Sequence, residues 1–199
     1  MRYRYAGTGI VLLATIVLTL DAAAAVEATD VAACNAGNAV KCEELAERYK
    51  DGTGGVKQDL GKSITYLEKA CNFRSGRACN SLGVAWLEGK NPASVIDFTK
   101  AGAYYKKACE FSNGLGCFNL AMAYGSGEGV LLDRKLAAEN FKKACDLEEA
   151  KGCTELATMY YRGKTLTKDV EMAKTLLEKG CKLGDAKACR NLELLKNPK

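Results

Sequence analysis

The sequence predicts an all-α solenoid of about four helix-turn-helix repeats closed by a C-terminal capping helix. Three observations predict it. Ten cysteines fall into five C-x7-C pairs, Cys34/Cys42, Cys71/Cys79, Cys109/Cys117, Cys145/Cys153 and Cys181/Cys189, whose first members stand 37, 38, 36 and 36 residues apart. Leucine, aromatic residues and glycine recur at fixed distances after each second cysteine. An aspartate precedes each of the later pairs by twelve residues. A period near 36 residues lies in the range of helical arrays, in which each repeat buries its apolar face against its neighbours.

The first helix of a repeat, helix A, is read from the second cysteine. Position +3 is Leu45, Leu82, Leu120, Leu156 and Leu192. Position +4 is Ala46, Gly83, Ala121 and Ala157, and position +7 is Tyr49, Trp86, Tyr124 and Tyr160. Offsets 0, 3, 4 and 7 share one face of an α-helix, so these residues form a buried column that includes Trp86. Gly52, Gly89, Gly127 and Gly163 stand at +10, where a left-handed residue ends a helix.

Helix B follows. Asp59, Asp97, Asp133 and Asp169 suit its N-cap, because a carboxylate accepts hydrogen bonds from the free N–H groups of the first turn. The segments from Leu60, Phe98, Arg134 and Val170 to the next cysteine make about three turns. Ser63, Ala101, Ala137 and Ala173, with Ala70, Ala108, Ala144 and Gly180, let neighbouring helices approach. Lys69, Lys107, Lys143 and Lys179 fall in the last turn, where cations suit the helix dipole. Within the cysteine pairs, Asn38, Ser75, Asn113 and Asp185 suit the N-cap of the next helix A, with Glu149 the exception. The first cysteine thus closes helix B and the second lies in the first turn of helix A. Repeats span about 34–70, 71–108, 109–144 and 145–180, and 181–199 is a capping helix in which Glu193 and Lys196 replace the apolar column.

Residues 1–25 read as an export signal: Arg2 and Arg4, then the apolar run AGTGIVLLATIVLTL, then DAAAAVE with small residues suited to cleavage after Ala25. An uncleaved anchor is the alternative, but the run is short of the roughly 20 residues that span a bilayer. The expected mature chain, 26–199, is one repeat domain, periplasmic or secreted, with no stable membrane span. It keeps 27 basic and 23 acidic residues, interspersed, without the basic stripe of a nucleic-acid binder.

Histidine is absent, which excludes an imidazole base and histidine-ligated metal sites. Eight-residue spacing is unlike zinc-ribbon pairs, and no C-x-x-C redox motif occurs. An exported chain with an even cysteine count is a disulfide framework by default. Pairing each cysteine with its partner eight residues on is the economical connectivity, though sequence leaves it open. No cofactor or metal is expected. The GSGEG at Gly125–Gly129 follows a helix, so it reads as a repeat turn and not as a phosphate loop.

The stretches CFNLAMAYGSGEGV with FKKACDLEEAKGC, and CTELATMYYRGK with LLEKGCKLGDAKAC, resemble Sel-1-like (tetratricopeptide-like) repeats. Their C-x7-C decoration resembles the Helicobacter cysteine-rich protein family. The likeness runs from Cys34 to Leu195. It departs from the pattern at LEGKNPASVIDFTK, which lacks the glycine-rich loop, and at RGKTLTKD. The resemblance implies a right-handed α/α superhelix with a concave face, one disulfide per repeat, and secretion or periplasmic residence. It also implies either an adaptor that holds peptides or partner proteins, or a penicillin-binding protein with weak β-lactamase activity. No serine opens the S-x-x-K motif of serine β-lactamases.

The reading is therefore a monomeric scaffold that binds a protein or peptide. On helix A, offsets 2, 5 and 9 point away from the core column. Val84 and Met122 at +5 are expected to meet an apolar side chain, Asn119 at +2 to bond a peptide backbone, and Phe118 and Tyr161 to flank the groove.

Overall fold

A computed structural model of the chain describes residues 27–196. The expected export signal and its cleavage point lie outside the described residues. All regular structure among the described residues is α-helical. It divides into two compact units, one ending at Phe73 and one beginning at Arg74.

The first unit holds residues 27–35 (α1), α2 (Ala39–Asp51) and α3 (Leu60–Asn72). Asn38 caps α2 by accepting from the Lys41 N–H, and Asp59 caps α3 by accepting from that of Lys62. Leu45, Ala46, Ile64 and Ala70 form the core, and the Ser63 hydroxyl donates to the Ala46 carbonyl at 2.8 Å. The repeat pattern does not anticipate helix α1, which carries Cys34 near its end as helix B carries each later first cysteine. Its Asp30 is 6% exposed and pairs with Arg48 at 2.8 Å and Lys41 at 3.1 Å. The Lys41 hydrogen bond and both cations hold the Asp30 carboxyl below its ordinary pKa.

The second unit runs α4 (Gly76–Leu87), α5 (Phe98–Glu110), α6 (Gly114–Ser126), α7 (Arg134–Asp146), α8 (Ala150–Arg162), α9 (Val170–Lys182) and α10 (Ala186–Lys196). Even-numbered helices are A, odd-numbered are B. Within this unit each A helix packs on its B helix and each B on the next A. Successive A helices also touch, α4 on α6, α6 on α8 and α8 on α10, so they form one continuous layer. Leu82, Leu120, Leu156 and Leu192 are buried as the +3 column requires.

The expected caps are in place. Asp97, Asp133 and Asp169 begin α5, α7 and α9, and Ser75 and Asn113 begin α4 and α6. Glu149, the expected exception, does cap α8. Its backbone adopts the same extended geometry as Asn113, and its longer side chain reaches the Lys151 N–H at 3.4 Å, against 2.7 Å for Asn113 on Gly116. The glycine-poor loop after α4 is organised by Asn91, 2% exposed, whose side-chain amide donates to the Val95 carbonyl at 2.6 Å and accepts from the Ala93 N–H at 3.1 Å.

Four bridges join cysteines eight apart, Cys34–Cys42, Cys109–Cys117, Cys145–Cys153 and Cys181–Cys189, with Cα atoms 4.4 to 4.8 Å apart. Each of the four fastens the end of one helix to the first turn of the next. Cys71 and Cys79 are also disulfide-bonded, and no cysteine is free among the described residues.

One packing contact explains the glycine in the +4 column. A Cβ at Gly83 would lie 2.4 Å from the Tyr105 ring. At the same two repeat positions the others carry alanine with Leu67, Phe141 or Leu177, whereas this one carries glycine with tyrosine. In a helix, Gly→Ala is ordinarily favourable by about 1 kcal/mol. Here Gly83→Ala is expected to destabilise by about 1–2 kcal/mol through overpacking. Combining it with Tyr105→Leu should recover more than additivity allows, measured as a double-mutant cycle by urea unfolding.

Candidate binding face

The helix A layer of the second unit carries a notch wherever helix A of one repeat, its helix B and the next helix A converge. The first, about 320 Å³, lies among α4, α5 and α6. Leu87, Phe98 and Met122, all exposed, wall it, and Asn119, Ser126 and Glu128 add polar groups. The Asn119 amide donates to the Asn80 oxygen at 2.8 Å, which ties α6 to α4. Its own carbonyl oxygen has no partner among the described residues and is available to an incoming N–H.

Tyr105 lies at the base of this notch, 4% exposed. Burial, seconded by the Glu88 charge, pushes its phenol up to about 12. The neutral phenol is therefore the form that the fold favours. Its contribution is complete below the unfolded value near pH 10 and is lost as pH rises from 10 to about 12. Ultraviolet titration of wild type against Tyr105→Phe is expected to remove one late-ionising tyrosine. The variant should lose less stability across that alkaline window.

A second notch, about 260 Å³, lies among α8, α9 and α10. Tyr161, Leu177, Leu194 and Leu195 wall it, with Thr158, Asn191 and the Arg162 guanidinium as the polar groups. The two are built from the same repeat positions. Met122 and Leu194 are both +5, Asn119 and Asn191 both +2, and Leu87 and Tyr161 both +8.

Of the residues expected on the face, Met122 and Asn119 line the first notch and Tyr161 the second. Val84 and Phe118 turn elsewhere. Val84 packs on the Ala101, Tyr105 and Leu120 cluster. Phe118 lies against Phe141 with ring centroids 5.7 Å apart. Leu87, Phe98 and Leu194 complete the notches without having been expected there. The +5 column carries the signal for Leu194, which the reading of the last helix as a cap alone passes over. No group of three or more cysteine, aspartate or glutamate side chains converges as a metal ligand set among the described residues.

The sequence pattern of the Sel1 repeat matches residues 42–72, 76–110, 114–148 and 150–185. Among solved structures, the chain is similar to c5321, a protective antigen present in uropathogenic Escherichia coli strains. The TM-score is 0.74 at 24% identity, over 83% of this chain and 35% of that one. A Sel1 repeat protein from Oxalobacter formigenes gives a TM-score of 0.68 at 23% identity, over 79% of this chain and 63% of that one. Helicobacter pylori cysteine rich protein B gives 0.55 at 36% identity, over 68% of this chain and 96% of that one. The chain thus spans less than two thirds of the first two proteins, whose likeness bears on the fold alone. No curated protein sequence matches the chain.

Proposed function

The chain belongs to the Sel1 repeat family, and on that premise we propose that it is an exported, disulfide-stapled scaffold whose helix A layer holds an extended segment of a partner protein. The observation that carries this reading is the recurrence of one notch, with the same apolar and amide positions, at two places along the layer. Phe98, Met122, Tyr161 and Leu194 are 42%, 48%, 49% and 65% exposed. Each leaves apolar area in a concave place, where a ligand side chain would remove it from water at about 25 cal/mol per Å². Asn119 and Asn191 supply amides for a peptide backbone. Disulfide-bonded cysteines throughout suit an oxidising compartment outside the cytoplasm.

Fluorescence anisotropy with an array of extended peptides carrying paired apolar residues tests the reading. Met122→Glu and Leu194→Glu should each weaken the best peptide by about tenfold or more, because each puts a carboxylate into an apolar contact. Circular dichroism should show unchanged helicity in both variants. Affinities indifferent to both substitutions would discard the reading. So would turnover of a chromogenic cephalosporin by the oxidised chain, if a single side-chain change in the notches abolished it.

A further inference from the structure

Between the two apolar notches lies a third, about 480 Å³, formed by α6, α7 and α8. It uses the same repeat positions with different chemistry. Where the first notch has Phe98, Ser126 and Glu128, this one has Arg134, Arg162 and Lys164. Three cations therefore line a notch floored by Ala137, Phe141 and Met159, and one of them, Arg162, is shared with the second notch. None of the three forms an ion pair or a side-chain hydrogen bond among the described residues. The neighbouring acid, Asp133, is committed to capping α7, accepting from the Lys135 and Leu136 N–H groups at 2.8 and 3.0 Å.

We propose that this middle notch binds a glutamate side chain, and that the second unit reads peptides in which an acidic residue stands three residues from an apolar one on each side. The inference rests on the peptide-holding reading above. The apolar floor suits the methylene stem of glutamate, and the cationic rim suits its carboxylate. The spacing follows from the helices. Adjacent packed helices lie about 8–10 Å apart. A polyproline II peptide advances about 3.1 Å per residue with three residues per turn, so every third side chain returns to one face after about 9 Å. A β-strand repeats its face every second residue, about 6.6 Å on, and falls out of step with the notches. The occupant is thus a polyproline II segment with an apolar-x-x-Glu-x-x-apolar pattern.

The test uses the full oxidised chain and three fluorescein-labelled peptides: Leu-Pro-Ser-Glu-Pro-Ser-Leu, its Gln counterpart, and a version with Glu moved by one residue. The Glu peptide should bind about tenfold more tightly than either of the others, through several charge-assisted contacts. That preference should shrink as salt rises. It should fall to about twofold or less in the Arg134→Gln/Lys164→Gln variant, with the loss falling mainly on the Glu peptide. Equal affinity for the Glu and Gln peptides, or a preference that survives in the variant, overturns the carboxylate site and leaves the apolar notches standing. Binding of none of the three peptides overturns both.

Discussion

Replacing Cys145 and Cys153 together by alanine is expected to lower the unfolding free energy by about 2–3 kcal/mol. The bridge closes a loop of about nine residues, and the entropy it removes from the unfolded chain sets that scale. Against a typical total of about 5–15 kcal/mol, loss of several bridges leaves little folded protein. Urea unfolding followed by far-ultraviolet circular dichroism measures the single-bridge effect. Complete reduction should collapse the helical signal at physiological temperature. The order of reduction is also expected to follow burial. Cys181 and Cys189 are only partly buried, while Cys145 and Cys153 are 1% and 0% exposed. Timed alkylation with mass spectrometry should therefore find the last bridge opening first. A midpoint unmoved by the double alanine variant would remove the bridges from the account of stability.

Gly129→Ala is expected to cost about 2–5 kcal/mol. Gly129 has φ +74, a conformation that costs an L-residue about 1–2 kcal/mol. A Cβ there would also stand 1.9 Å from the Phe98 carbonyl oxygen, a backbone atom that no rotamer change can move. Displacing the start of α5 adds about 1–3 kcal/mol. Because Phe98 walls the first notch, the same change should weaken apolar peptides while leaving the cationic notch intact. Gly125→Ala is the control. Its Cβ would find only Ala137 at 4.0 Å, so this helical glycine should tolerate alanine or gain up to about 1 kcal/mol from it. Thermal unfolding of the two variants side by side separates them.

The helices are legible in the sequence because their signals are local and repeated. A column at 0, +3, +4 and +7, a capping aspartate and a closing glycine each depend on a few neighbouring residues, and each recurs. Glu149 escapes such a reading because cap preference is a statistic of residue types, whereas the turn geometry delivers whatever side chain stands there to the free N–H groups. Helix α1 carries the first cysteine near its end, and no preceding pair sets its register. The binding face is legible only in part. Offsets on helix A find Asn119, Met122 and Tyr161, since direction around one helix follows from sequence. They do not find Phe98 or Leu177, which come from a helix B and enter the notch only when helices pack. Phe118 is expected to flank the groove, but the Phe141 ring of the following helix draws it inward. The change from Phe98, Ser126 and Glu128 to Arg134, Arg162 and Lys164 is visible in the aligned repeats. It acquires meaning only once those positions are known to share a cavity.

Each of the four local bridges joins a cysteine to the next one along the chain, eight residues on, while the nearest wrong partner, as from Cys117 to Cys145, is 28 residues away. A chain threading N-terminus first into an oxidising space would thus meet each native sulfur pair before any competitor emerges. Ten cysteines could otherwise scramble into a large set of mispaired isomers. With this ordering, oxidative maturation in such a compartment would act as a ratchet that locks one hairpin corner at a time and leaves few mispaired isomers to undo.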